Sequence, residues 1–480
     1  MGCRGAAVLT RLLGVGAPGA QASPALVSSS GVAITYGQMA DVVERGTAEL
    51  VREGVGPGVA VAIAVPDAPG FILAALAAWE AGAAVVPLDL RGGAALVDEA
   101  IGRSHAQLVV RGAPLGEALR LERRQASAID PRAALVLFTS GSTGRPKGVL
   151  LGGGGLRANV EAILRYLPVR EHSRTALTLP LAYSYALVGQ VLTTLRAGAT
   201  LLLLHDLGYP AVQLEAMVRL AATGLSSVPT ALRLLARAAV EGGARPRLGY
   251  VASAGAALEA STAACLRAAF PEARLFNQYG LTEASPRVAA IDDRDPAFAA
   301  GAAGRALPGL EVWAAREDRR CAPGEEGDLR VRGESVMLGY LDDLEASAKA
   351  LAPDGSLRTG DRGHLDAGGA IFVAGRSDGV VKVAGERVGL EEIAICLREG
   401  GARDAAVVAL PDEMMGARLV AFVEASEGAI PSLRATLRER LAPAKRPTKV
   451  IRLETLPRLP SGKIDLQELQ RRAAALVRSS

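Results

Sequence analysis

The stretch TSGSTGRPKG (139–148) follows the apolar run Leu135 to Phe138 and offers backbone amides with almost no side-chain bulk around them. Glycines let successive N–H groups converge on one point, which is the geometry of an anion nest. Ser140, Ser142 and Thr143 add hydroxyl donors and Lys147 adds a point charge, so a polyphosphate is the natural guest. The common triphosphatase loop reads G-x-x-x-x-G-K-[ST]. Here Pro146 precedes Lys147 and Gly148 follows it, so this is a different loop. Composition alone leaves a plain glycine-serine linker equally open.

The loop must be held by flanking elements, and the chain supplies them as alternating units. VAVAIAVP (59–66), GFILAALAAWEAGA (70–83) and AVVPLD (84–89) read as strand, helix, strand, and ATLLLLH (199–205) and LGYVASAG (248–255) repeat the strand signal. Such units imply parallel sheets covered by helices. From about residue 308, short alternating strands such as GLEVWAA and GDLRVRG read as an antiparallel appendage. A second change, within Gly375 to Gly379, opens a small α+β unit with its own apolar periodicity. The expected domains are 1–376 and 377–480, an α/β fold with a small C-terminal α+β domain. The tetraglycine at 152–155 reads as a flexible connector.

The 480 residues exceed one core and suit two or three domains. Net charge is +4, from 54 basic and 50 acidic residues spread along the chain, which makes nucleic acid an unexpected partner. Cys3, Cys265, Cys321 and Cys396 have no paired spacing, which fits a reducing cytoplasm without a disulfide framework. His105, His172, His205 and His364 lack ligand or triad spacing and read as structural or exposed. Arg11 interrupts the N-terminal apolar stretch, so an ordinary first helix is expected there, and no run is long enough to span a membrane.

Five further stretches follow the phosphate loop: NQYGLTEAS (277–285), GDLRVRGESVMLGY (327–340), LRTGD (357–361), GRSDGVVKVAGERVGLEEI (375–393) and LPSGKIDL (459–466). With FTSGSTGRPKGV (138–149) they resemble, in order and spacing, the signatures of the adenylate-forming enzymes, the superfamily of acyl-CoA synthetases, peptide-synthetase adenylation domains and luciferases. The resemblance runs from about residue 17 to about 475. It implies a large N-terminal domain of stacked α/β sheets plus a small distorted β-barrel, and a mobile C-terminal domain. It also implies activation of a carboxylate with ATP and magnesium, release of pyrophosphate, and transfer of the acyl group to a thiol of coenzyme A or of a carrier protein acting in trans.

Carried over position by position, the resemblance assigns the β- and γ-phosphates to Thr139, Ser140, Gly141, Ser142, Thr143, Gly144 and Lys147. Ala254, Gly255, Ala256, Asn277, Gln278 and Gly280 would line the adenine, and Tyr279 would stack on it. Thr282 would touch the α-phosphate, Glu283 would hold magnesium, Asp361 would accept the ribose hydroxyls and Arg376 would reach ribose and phosphate. Lys463 would bridge the attacking carboxylate and the α-phosphate. Asp378 sits at the hinge position, and Gly385 and Arg387 fall beside the thiol tunnel.

The acyl pocket is expected at Tyr183, Tyr185 and Val228. Amino-acid-activating relatives carry an aspartate in this region; Ala182-Tyr183-Ser184-Tyr185 offers none, which disfavours a standard α-amino acid. The leading reading is therefore a free-standing acid–thiol ligase. Activation of a small non-carboxylate anion such as nitrite, and a free-standing amino-acid-type adenylation enzyme, stand as alternatives. A non-catalytic module on the same fold is disfavoured by the intact Lys147, Glu283, Asp361 and Lys463.

Overall fold

The computed structural model describes residues 21–92, 94–112, 118–139, 147–317, 319–376, 380–383, 386–412, 415–441 and 443–478. The first helix expected from the N-terminal stretch lies outside them. The anticipated strand, helix, strand unit is present: Ala60–Ile63 pairs in parallel with Ala84–Pro87, and helix Ala68–Glu80 connects them. Asp67 starts that helix by accepting the Gly70 N–H at 2.7 Å. Every residue from Gly70 to Trp79 is buried, as expected for a helix apolar on all sides. Its side chains share one core with residues from two sheets, which makes it the layer between them.

The first sheet contains seven strands, in the order Gly339–Tyr340, Lys147–Gly152, Ala133–Thr139, Ala84–Pro87, Ala60–Ile63, Ala106–Gly112 and Arg120–Arg123. The second contains fourteen. Its parallel part is Pro24–Ser28, Thr200–Leu203, Arg174–Leu177, Gly224–Ser227, Tyr250–Ser253 and Arg274–Gly280. Wholly buried strands such as Thr200–Leu203 and Tyr250–Ser253 fit helices on both faces.

Beyond Arg274–Gly280 the sheet turns antiparallel, so the strands expected as an appendage are hydrogen-bonded continuously to the rest. Gly304–Ala306 and Leu310–Arg316 are four positions apart in strand order. Laid flat, that separation is about 19 Å, whereas the short connection reaches at most about 14 Å. This part of the sheet must therefore curl back on itself.

The tetraglycine is not a connector. Gly152 ends strand Lys147–Gly152 and Gly153 opens helix Gly153–Tyr166. A Cβ on Gly155 would lie 2.6 Å from the Glu334 carbonyl oxygen and 3.1 Å from the Ser335 Cα, so the helix packs directly against backbone. Close approach explains the glycine here; a flexible connector does not.

The C-terminal residues build separate cores. Strands Asp404–Asp412, Gly416–Glu424 and Lys449–Leu453 form one sheet. Ala405 and Val407 face the core of helix Leu390–Glu399, while Ala406, Val408 and Leu410 face Leu469 and Ala473 of helix Leu466–Arg478. The unit docks on the large domain through Arg398, which bonds Glu259 at 2.7 Å, and through Arg233, which donates to the Arg403 carbonyl at 2.8 Å.

Gly155→Ala is expected to destabilise the protein by about 1–3 kcal/mol, because backbone must move to admit the methyl group. Gly154→Ala meets only the end of the Glu334 side chain and should be neutral or slightly stabilising. Thermal denaturation of the two variants checks the pair, and equal midpoints would refute the packing argument.

Candidate active site

Thr139 and Lys147 are cross-strand partners at the end of an antiparallel pair. Ser140, Gly141, Ser142, Thr143 and Gly144 lie outside the described residues. The Lys147 ammonium sits 5.1 Å from the centroid of the Tyr340 ring, and the Tyr340 hydroxyl donates to Glu283 Oε1 at 2.9 Å. One tyrosine thus links the lysine of the phosphate loop to the carboxylate expected to hold magnesium. Glu283 belongs to the short turn Thr282–Ala284, whose place is set by the Met337 N–H donating to the Glu283 carbonyl at 2.8 Å. Thr282 Oγ1 lies 3.3 Å from Ser184 Oγ.

The nucleotide wall forms where parallel strands end, the usual place for a ligand in an open α/β sheet. Gly255 follows strand Tyr250–Ser253 with φ +91°, a backbone that favours glycine, and its missing Cβ would stand 3.3 Å from Val228 Cγ1. Gly255 and Ala256 are exposed, whereas Ala254 is buried. Asn277 and Tyr279 alternate onto one face of strand Arg274–Gly280. Asn277 donates through Nδ2 to the Ala302 carbonyl at 2.9 Å, which orients its amide. The Tyr279 hydroxyl donates to Asp361 Oδ2 at 2.5 Å, placing the proposed adenine and ribose residues side by side. Asp361 is paired across the sheet with Arg376, whose side chain lies outside the description. Gly280 admits no substitute, since a Cβ would fall 2.0 Å from the Pro286 carbonyl oxygen.

The two pocket tyrosines separate. Tyr185 points inward: its hydroxyl is 3.4 Å from the Ser227 carbonyl, 3.3 Å from that of Ala252 and 3.5 Å from Gln278 Oε1. Gln278 in turn donates to the Tyr166 hydroxyl at 2.7 Å. Arg287 is 2% exposed, and its guanidinium carbon stands 4.5 Å from the Tyr185 ring centroid. Burial raises the pKa of Tyr185 above the usual phenol range, opposed by the charge of Arg287.

Tyr183 turns to a different set of partners, Asp89 and Arg91. Its hydroxyl donates to Asp89 Oδ2 at 3.2 Å, and Arg91 grips Asp89 through two bonds of 2.8 and 2.7 Å. Arg91 Nη2 also donates to the Pro460 carbonyl at 2.9 Å. Pro460 belongs to a tight turn closed by Leu459 N–H to Lys463 O at 2.8 Å and Gly462 N–H to Leu459 O at 2.9 Å. Burial alone would raise the Asp89 carboxyl, but the hydrogen bonds and charge of Arg91 outweigh it and hold it below the usual range. The turn carrying Lys463 is therefore seated on the large domain beside Tyr183.

Asp378 and Gly385 lie outside the described residues; Arg387 is placed by backbone only, opposite Lys382 in the pair Val380–Val383 and Glu386–Gly389. Sequence reasoning missed Asp89, Arg91, Tyr340 and Arg287. Tyr340 and Asp89 stood at the ends of stretches already quoted, but nothing in the sequence marks their partners. His364 stacks on Phe372 at 4.9 Å, and His105 bonds Asp342 at 2.5 Å, both structural contacts. Burial lowers the His205 pKa.

Two family models match the chain: AMP-binding enzyme over residues 17–341 and AMP-binding enzyme C-terminal domain over 394–463. The chain belongs to the adenylate-forming AMP-binding enzymes. It is 31% identical to a feruloyl-CoA synthase of Amycolatopsis sp. over 93% of its own length and 95% of the relative's. It is 32% identical to 4-coumarate–CoA ligase 1 of Solanum tuberosum over 70% of its length and 64% of that protein's. ATP-bound MatB from Rhodopseudomonas palustris superposes with a TM-score of 0.83 at 25% identity, covering 97% of this chain and 98% of that one. This adenylate-forming enzyme is an AMP-forming acid–thiol ligase that uses ATP. Among the described residues no helix is long and apolar enough to cross a membrane.

Burial raises the phenol pKa values of Tyr36, Tyr166 and Tyr185, and that of Tyr250 to about 12. Folded-state values above the unfolded value of about 10 favour the fold fully below that pH and lose it as pH rises through the folded values. The thermal midpoint should not change through these groups between about pH 7 and 9 and should fall above about pH 10. Tyr185→Phe should shallow that alkaline fall; an unaltered slope would contradict the buried, neutral state of Tyr185.

Proposed function

We propose that this ligase adenylates a small carboxylic acid other than a standard α-amino acid and passes the acyl group to coenzyme A. The observation that carries the reading is the seating of the Lys463 turn: Arg91 ties Pro460 to Tyr183, and Ser184, the next residue, touches Thr282. The lysine's segment is thus connected by direct contacts to the α-phosphate residue.

In the first half-reaction a carboxylate oxygen of the acid attacks the α-phosphorus of ATP, the α–β P–O bond breaks and pyrophosphate leaves. Two anions must approach each other, so fixed donors and cations at the developing charge supply the stabilisation. Lys463 and Thr282 serve the α-phosphate. Thr139 and Lys147 hold the departing phosphates, with Lys147 positioned over the Tyr340 ring. Asp361, held by Tyr279, takes the ribose hydroxyls, while Ala254, Gly255, Ala256 and Asn277 line the adenine.

Magnesium binds through one or two carboxylates plus substrate phosphates, and Glu283 with its Tyr340 bond suits that role. When bound, the ion neutralises phosphate charge. In the second half-reaction the thiol sulfur attacks the acyl carbon and AMP leaves with its electron pair. Rotation about Asp378 would carry Lys463 out and Gly385 and Arg387 in, breaking the contacts of Arg398 with Glu259 and of Arg91 with Pro460. The thiol assignment rests on the CoA ligases among the relatives.

Lys463→Ala should lower acid-dependent pyrophosphate release by at least about 100-fold with ATP binding retained. Arg91→Ala should lower the same half-reaction while leaving thiol transfer from supplied acyl-adenylate nearly unchanged. Release assays and calorimetric ATP titration check both; full turnover in Lys463→Ala would sink the assignment.

A further inference from the structure

Arg287 is a buried charge with no ion-pair partner among the described residues. Its side chain is 2% exposed, its Nε is buried with no hydrogen-bond acceptor, and no carboxylate of the described residues pairs with it. Guanidinium groups keep their proton in proteins, so burial does not remove the charge. The Tyr185 ring at 4.5 Å and the Tyr166 hydroxyl offset only part of the lost hydration. A native fold retains such a group where something else completes it.

The surroundings are built to hold it. Asn159 takes the Arg287 N–H on Oδ1 at 3.1 Å and donates through Nδ2 to the Arg287 carbonyl at 2.7 Å, fixing the backbone. Gly189 keeps space open, since a Cβ there would lie 3.2 Å from Arg287 Nη2 and 3.3 Å from Tyr185 Cδ2. Gly189 stands in a π-turn, Leu187–Leu192, an irregularity common at functional sites. Both amide atoms of the neighbouring Gln190 are buried without partners among the described residues. The Ser227 and Ala252 carbonyls face the Tyr185 hydroxyl.

The place of Arg287 relative to the chemistry is short-range. It is the cross-strand partner of Gly280 and follows Glu283 by four residues. Ser184 touches Thr282, and Tyr185, the next residue, lies under Arg287. We infer that Arg287 receives a second carboxylate at the far end of the acid, so that the enzyme prefers short dicarboxylic acids to monocarboxylic acids. This rests on the adenylation reading and specifies its substrate class. The same charge repels a substrate ammonium group placed there.

The test is pyrophosphate release by the full chain with length-matched pairs: propanoate and malonate, butanoate and succinate, pentanoate and glutarate. At least one diacid should exceed its partner in kcat/KM by about 100-fold, since a site built around a polar group rejects analogues lacking it. Arg287→Met should lower that value about 100-fold, mainly through KM, and raise the monoacid value; Arg287→Lys should keep part of the preference. Monoacids equal to diacids in the unaltered enzyme, or a ratio unmoved by Arg287→Met, would overturn the inference. Should Arg287→Met lose ATP binding and so fail to fold, the ratio in the unaltered enzyme and in Arg287→Lys decides. Release with no acid at all, with ATP still bound, would overturn the adenylation reading itself.

Discussion

The proposed chemistry depends on bringing cations from distant parts of the chain to a point where two anions must meet. Lys147 comes from a strand pair of the first sheet, and Lys463 from a turn more than three hundred residues later on another domain. That turn reaches its place through Arg91, which holds Asp89 in two bonds and Pro460 by a third. A bidentate arginine–carboxylate pair has defined geometry, so it can present one remaining N–H in a fixed direction. Among the described residues the C-terminal unit is held to the large domain by Arg91 on the Pro460 carbonyl, by Arg398 on Glu259 and by Arg233 on the Arg403 carbonyl.

Around this point the large domain works as a rigid frame. The buried helix Ala68–Glu80 packs between the two sheets, so strand Lys147–Gly152 on one and strand Arg274–Gly280 on the other border one core. Tyr340 closes the remaining gap: its ring lies by Lys147, its hydroxyl bonds Glu283, and its own strand pairs with Lys147–Gly152. Tyr185, Gln278 and Arg287 meet on the side where the acid is proposed to bind.

Much of this was legible in the sequence. The parallel strands, the antiparallel region past 308 and the C-terminal unit follow from apolar periodicity, because a strand buried on both faces reads as a continuous apolar run. The wall residues Tyr279 and Asp361 and the turn at Lys463 stood in recognisable stretches. The tetraglycine was misread because low bulk signals flexibility and close packing equally. Only the partner across the gap, the Glu334 backbone, distinguishes them.

The chain by itself therefore determined the element types, their order and the kinds of group that chemistry on ATP needs, since these depend on local pattern and residue type. What tertiary structure alone decided is pairing. Tyr183 and Tyr185 are two residues apart, yet one bonds Asp89 and the other faces the Ala252 carbonyl, because they occupy different sides of one helix start. Arg287 looks like any strand arginine until folding buries it away from every carboxylate of the described residues. Desolvation acts on a charge only through its three-dimensional neighbours, and no local pattern carries that information.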